Sequence, residues 1–423
     1  MNWKLTAIAA ACSFAFAASA FAQAPAKPAA APAAASQPAP SAAPPAWKQG
    51  MGDKYKDSTL APNAGKNTET AAADIPINTL KAPKGFKVEL WASGMPGARA
   101  MVRGDKGKIY IGTRGLGRVY EVTDAGDKRT SRILVDKLTQ PSGVAIQGST
   151  LYVMAIDKVL RYDDIENKPD VKPEDMTAKF NLPPEQHHNW KYLAFGPDKK
   201  LYVPFGAPCN ICEPPTKEYA QIRRYNPDGS AMEVIATGVR NTQGFDWHPK
   251  TGELWFTDHG RDWAGDDGPQ DELNRMPKAG LNFGYPYCHA AGTPDPDIKK
   301  AGACKDVTMP VALMGPHAAV MGVKFYTGDM FPAAYKNTMF VARKGSWNRT
   351  KRFGYDVVNV VPSADGKSAK VTPFLTGFLD AKENKFSGRP AYLLQMPDGA
   401  LLVSDEQLGA IYRISYSGGA AKK

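Results

Sequence analysis

GVRNTQGFDWHPKTGELWFTDHGRDWAGDDGPQDELNRMPKAGLNFG, residues Gly238 to Gly284, holds the pattern that decides the fold. An alternating run, Gly244-Phe245-Asp246-Trp247, meets the turn His248-Pro249-Lys250-Thr251-Gly252 and then a second run, Glu253-Leu254-Trp255-Phe256-Thr257. Period-two alternation on both sides of a Pro/Gly turn predicts a β-hairpin. The chain then turns polar through Asp258-His259-Gly260-Arg261-Asp262, Asp266-Asp267 and Asp271-Glu272. Oxygen donors around glycines at a strand end suit a hard cation, or a polar ligand beside one. The plainer alternative is an acidic surface loop.

The same hairpin recurs along the chain. Its second strands read Lys108 to Gly112, Leu151 to Val153, Leu201 to Val203, Leu254 to Phe256, Met339 to Val341 and Leu401 to Val403. Turns repeat too: Gly196-Pro197-Asp198, His248-Pro249-Lys250 and Met396-Pro397-Asp398-Gly399. A strand meander every ~40–60 residues marks a β-propeller, because a lone blade cannot bury both faces of its sheet and a ring of blades can. The expected fold is all-β, a six-bladed β-propeller, in preference to an ordinary sandwich. The long interval between the fourth and fifth repeats has room for a seventh blade. Its Gly, Pro and Asp content over Asn282 to Pro310 reads instead as an insertion.

The flanks differ in composition. The first 22 residues carry Lys4 as their sole charge, an apolar run and Ala20-Phe21-Ala22, the anatomy of a cleaved secretory signal. Cys12 raises a lipoprotein alternative, with a poor match before it. Residues 23–75 read as an Ala/Pro-rich disordered spacer and 76–418 as the propeller domain. The expected location is periplasmic or secreted, with no stable membrane span. Past the signal, Cys209, Cys212, Cys288 and Cys304 remain. An even count in an exported chain suggests two disulfides, and sequence-local pairing is the simplest of three possibilities.

With 53 Lys and Arg against 42 Asp and Glu, the net charge is +11. The excess is spread, without the basic block or aromatic-spaced motif of a nucleic-acid binder, so no nucleic acid is expected as a partner. It suits an anionic ligand or an acidic redox partner. A nucleotide-cradling GxGxxG or Walker motif is absent, as are a Ser elbow, a Cys nucleophile and a His-rich zinc motif.

In a propeller, polar residues flanking inner strands reach the channel mouth. The candidates are His187-His188-Asn189-Trp190, Arg240-Asn241, Arg343-Lys344 and Arg389. Neighbouring histidines on a strand point to opposite faces, so one should face the mouth while the other packs. Arg240, Lys344 and Arg389 come from separate repeats and have no evident acidic partners. Gathered by a ring, they would bind an anion such as a polycarboxylate or phosphate.

The motifs HHNWKYLAFGPDKKLYV, GVRNTQGFDWHP with GELWFTDHGRDW and DELN, RKGSWNR, and GRPAYLLQMPDGALLVSD together resemble those of the soluble quinoprotein sugar dehydrogenases. That group includes glucose, aldose and L-sorbosone dehydrogenase-like proteins, and the resemblance runs from about Pro83 to Ile414. It implies a six-bladed propeller binding pyrroloquinoline quinone (PQQ) and calcium over the channel mouth. It also implies oxidation of a sugar or related aldehyde, with an external electron acceptor, a cytochrome or quinone, as partner. Carried over by residue, it makes His188 the general base and Arg240 the group that stabilises the reduced cofactor. Arg240, Asn241, Lys344, Arg389, His259 and Asp271 would bind cofactor, His187 and Gln140 substrate, and Gly260-Arg261 the metal. His259 and the Gly260-Arg261 step depart from the family pattern, and His187 replaces an aspartate that helps hold glucose. Two other readings compete: a calcium-dependent lactonase or hydrolase, and a non-enzymatic binding scaffold.

Overall fold

The hairpin at the centre of the sequence forms as its alternation requires. Gly244–Trp247 pairs antiparallel with Leu254–Asp258, Phe245 opposite Phe256. His248 Nδ1 closes the turn by accepting from the Lys250 and Thr251 amides at 3.2 Å. The computed structural model describes residues 45–126, 128–214 and 217–418, so the expected signal and the Ala/Pro run to residue 44 lie outside the described residues.

Six sheets repeat this unit. Their inner strands are Ala98–Arg103, Gly143–Gln147, Ala194–Phe195, Gly244–Trp247, Val320–Phe325 and Pro390–Gln395. Each pairs with a second strand: Ile109–Thr113, Thr150–Met154, Leu201–Phe205, Leu254–Asp258, Met339–Arg343 and Leu401–Asp405. The sixth sheet takes its outer strand from the other end of the fold. Phe86–Ala92 pairs with Ala410–Tyr416, which closes the ring and leaves no open edge at the joint.

Inner strands pack backbone against backbone. A Cβ on Gly322 would lie 2.8 Å from Tyr392 Cα, and one on Gly244 would strike the Met321 carbonyl. Only glycine permits that approach. Between sheets the core is apolar and aromatic. Phe340, Val357, Leu401 and Ile414 are fully buried, each contributing about 1.5–3 kcal/mol.

The long interval holds no seventh blade. Leu281–Asn282 adds to the third sheet as a parallel fifth strand, and Ala312–Pro316 completes the fourth. Between them a Cys288–Cys304 disulfide closes a loop, and Cys209 pairs with Cys212. Both sequence-local pairings form.

The spacer expected over 23–75 does not extend that far as free chain. Trp47 packs on Trp263 and Trp347, Tyr55 on Trp263, and Asn63 bonds Tyr355. Two aromatic residues give this stretch apolar area to bury, which the preceding Ala, Pro and Ser lack. Among the described residues no helix is long and apolar enough to cross a membrane.

Candidate active site

Antiparallel pairing puts the start of each inner strand and the end of each second strand on the same face of the ring. A cavity of about 290 Å³ opens there. Residues ahead of inner strands reach its wall: His187 and His188, Arg240 and Asn241, and Arg389. Residues just past second strands reach it too: Arg114, His259 and Lys344.

The two histidines do not alternate. They sit in a turn rather than a strand, and His188 has φ +52. That left-handed residue brings both rings to the cavity, centroids 3.9 Å apart. Gly206 makes room for the turn, since a Cβ there would lie 2.6 Å from His188 Cβ. His188 Nδ1 lies 3.0 Å from the Ala207 carbonyl and donates to it. The proton is thereby fixed on Nδ1, leaving Nε2 a free lone pair. Burial, then the charges of Arg240 and His187, hold His188 well below the ordinary imidazole range. His187 is lowered to about 4 by burial and then by Arg240, and its buried Nε2 has no partner among the described residues.

Arg240 is held by an unusually complete set of acceptors. Its Nε donates to the Asn210 carbonyl at 2.9 Å, and a terminal nitrogen donates to Asn210 Oδ1 at 2.8 Å. Weaker contacts run to the His259 carbonyl at 3.3 Å and Asp262 at 3.4 Å. Asp258, at the end of its second strand, accepts from the Arg240 amide at 2.8 Å and the Asn241 amide at 2.5 Å. Burial still raises Asp258 to about 7. Asn241 Nδ2 donates to His259 Nδ1 at 3.1 Å, and His259 Nε2 donates to the Val320 carbonyl at 2.5 Å. This neutral tautomer is kept by burial, which lowers His259 to about 3.

Asn210, inside the Cys209–Cys212 loop, therefore fixes the Arg240 guanidinium. Asn210→Ala should cost roughly 1.5–3 kcal/mol, the value of hydrogen bonds to a charged group, read as a lower midpoint in chemical denaturation.

On the other side of the cavity the cations do have an acidic partner, contrary to the sequence-based expectation. Lys344 stands 3.2 Å from Glu406, and Arg99 is 4.0 Å from the same carboxylate. Burial opposes ionisation of Glu406, yet Lys344, Arg99, Arg389 and Arg114 hold it below the usual carboxylate range. Four cations around that carboxylate leave positive charge in excess, and Lys344 is depressed by burial despite Glu406. Arg389 Nε and Trp190 Nε1 are buried donors with no acceptor among the described residues. Arg343, by contrast, turns into its blade and pairs with Asp356 at 2.7 Å.

The remaining candidates divide. Gly260 and Asp271 are on the wall, with Asp271 accepting from the Gly260 amide at 2.9 Å and raised to about 6 by burial. Arg261 is not on the wall. Its guanidinium is buried against Asp295 at 2.8 Å and Asp297 at 2.7 Å. Gln140 is also off the wall, set back by one side chain, and accepts from Arg114 Nε at 3.3 Å.

A TrAA12-like family profile matches residues 80–417 of this chain. The chain belongs to the TrAA12-like family. An uncharacterised protein of Borreliella burgdorferi is 33% identical over 360 residues, covering 82% of this chain and 93% of its own length. Among solved structures, the calcium structure of a Trichoderma reesei carbohydrate-active enzyme of family AA12 is similar at TM-score 0.69. It is 21% identical and covers 81% of this chain and 98% of its own. The holo PQQ domain of pyranose dehydrogenase from Coprinopsis cinerea is similar at TM-score 0.66 and 21% identity, covering 79% and 97%. At these identities the two structures show a shared fold.

Arg114 and Glu406 of this TrAA12-like chain escaped sequence reasoning, although a signal for both was present. Each follows directly on a second strand, the same register as His259 and Lys344. The repeat, once aligned, nominates that position in every blade. Arg114 also stacks on Trp190 at 3.7 Å, within a motif already quoted. Asn210 and Trp47 had no such register to give them away.

Proposed function

We propose that this TrAA12-like chain is a PQQ-dependent oxidoreductase acting on a sugar or related aldehyde, and that it passes electrons to an external acceptor after export. The observation that carries this is the meeting of a neutral, oriented imidazole with an under-neutralised cluster of cations in one cavity. A scaffold needs no such convergence.

The wall suits a flat tricarboxylate. Arg114, Lys344 and Arg389 offer charge-assisted bonds to carboxylates. The orphaned Arg389 Nε and Trp190 Nε1 call for acceptors. Trp190 supplies a flat surface. When bound, PQQ supplies the two-electron acceptor that the chain's own side chains lack. The chain's share is positioning and proton handling. His188 Nε2 takes the proton that an alcohol sheds in becoming a carbonyl, and Nδ1 keeps its own proton on the Ala207 carbonyl throughout. Arg240, rigid in its acceptors, stabilises negative charge developing beside it without reorganising. His187, beside the base, is placed to contact substrate.

Calcium belongs to the proposal in a narrower sense. The wall offers the Asp262 and Asp271 carboxylates and Gly260, and both carboxylates already have partners. A hard cation takes six to eight oxygens. Among the described residues no three acidic, His or Cys side chains are gathered for a metal, so Gly260, Asp262 and Asp271 would hold calcium only with further oxygens from a bound carboxylate ligand. Chelating divalent cations should weaken quinone binding roughly tenfold, about the loss of one charge-assisted contact. An unchanged dissociation constant would remove calcium from the account.

The reading is tested by reconstitution. Purified protein given PQQ and calcium should oxidise sugars with an artificial dye as acceptor. Absence of turnover in protein shown to bind the quinone would rule out the proposed substrate class.

A further inference from the structure

The described chain ahead of residue 80, where the family match begins, builds part of the cavity wall. Ala46 and Trp47 stand on it, and so do Pro62 and Asn63. The arm between them is pinned at two places on the rim. At the first, Gln49 Oε1 accepts from the Asn210 amide at 2.7 Å, its carbonyl accepts from Asn210 Nδ2 at 3.0 Å, and the Trp47 carbonyl accepts from Trp263 Nε1 at 2.7 Å. At the second, Asn63 donates to the Tyr355 hydroxyl at 3.1 Å and accepts from Arg352 at 3.1 Å. Asn210 follows an inner pair of strands in the third sheet, and Tyr355 precedes a strand of the fifth. The arm therefore runs along the mouth from one blade to another.

Trp47 lies roughly parallel to Trp263, centroids 6.2 Å apart at 27°, and edge-on to Trp347 at 5.7 Å and 83°. Trp263 is buried, whereas Trp47 and Trp347 stay partly exposed on the cavity wall. Partly exposed indoles at the rim of a charged cavity suit a molecule with an apolar face and a polar edge. A closed sugar ring is such a molecule: its axial C–H groups lie on an aromatic surface while its hydroxyls reach polar groups deeper in. The arm contributes wall while about 290 Å³ stays open beneath it, so it shapes the cavity without filling it.

We infer that Trp47 is a substrate-contacting residue, its ring meeting the edge-on Trp347 in an apolar corner that selects closed sugar rings over open-chain polyols and aldehydes. This rests on the reading of the cavity as a sugar-oxidising site and narrows its substrate class.

The test compares wild type, Trp47→Ala and Trp47→Phe, each as the full chain loaded with PQQ and calcium, on a panel of monosaccharides and on glycerol. Tryptophan fluorescence of the unloaded proteins is titrated with the same compounds. Trp47→Ala should raise KM for the ring sugars roughly tenfold, leave KM for glycerol and the quinone affinity unchanged, and lose the sugar-dependent quenching. Trp47→Phe, which keeps a flat ring, should restore most of the KM. Equal KM shifts for rings and glycerol, no shift in either, or quenching undiminished in Trp47→Ala would overturn the inference. A faster Trp47→Ala on every compound would instead make the arm an obstruction. If wild type binds no quinone, the oxidoreductase reading fails on its own, while the quenching titration still decides whether Trp47 meets a sugar.

Discussion

Replacing His188 with Ala should lower kcat of the reconstituted protein by roughly 10²–10⁴-fold, the usual loss on removing a positioned general base. The turn positions the ring. Its left-handed His188 puts the imidazole on the cavity wall, and the Ala207 carbonyl holds the proton on Nδ1. Nε2 is then the basic nitrogen in the neutral ring. Cofactor affinity should barely change, because the charge-assisted bonds to its carboxylates come from Arg114, Lys344 and Arg389 rather than from His188. Burial, Arg240 and His187 all disfavour the imidazolium. A lowered pKa keeps the base deprotonated to more acid pH. In NMR titrations of the apo-protein the His188 ring should therefore stay neutral well below pH 6.5. An alanine variant with undiminished kcat would remove His188 from the chemistry.

The second large effect concerns binding. Lys344→Met combined with Arg389→Met should raise the quinone dissociation constant by roughly 10²–10⁴-fold. Each lost charge-assisted bond is worth about 1.5–3 kcal/mol, and the two sites share Glu406, so the sum is not strictly additive. The apo-protein should not lose stability in proportion. Lys344 and Arg389 are both pushed towards neutrality by burial and by neighbouring cations, and Glu406 keeps Arg99 and Arg114. A cluster held together against its own repulsion is a cost that ligand binding offsets. Thermal melts of apo and loaded variants separate the two effects. The gap between apo and loaded melting temperatures should shrink in the variant, with the apo value near that of wild type.

How much of this was legible in the sequence follows from where the information sits. Strand–turn–strand periodicity is local, so the hairpin at Gly244 and its five relatives could be read directly, and ring closure followed from their number. The site was partly legible because a propeller converts a repeated register into a shared location. Arg240, Lys344 and Arg389 could be nominated for that reason. Facts of conformation stayed hidden. Nothing in the letters His187-His188 announces a positive φ that turns both rings the same way. The backset of Gln140 behind Arg114, and the turning of Arg261 towards Asp295, depend on contacts far away in the chain. The arm around Trp47 was missed because its anchors, Asn210, Trp263 and Tyr355, are more than 150 residues distant.

Binding of an anionic quinone in this cavity is read from an absorbance titration of the purified full chain with PQQ. Binding should saturate at one quinone per chain, with affinity sharply reduced in the Lys344 and Arg389 double variant and kept in His188→Ala. Failure to saturate, or equal affinity in wild type and the double variant, would contradict it.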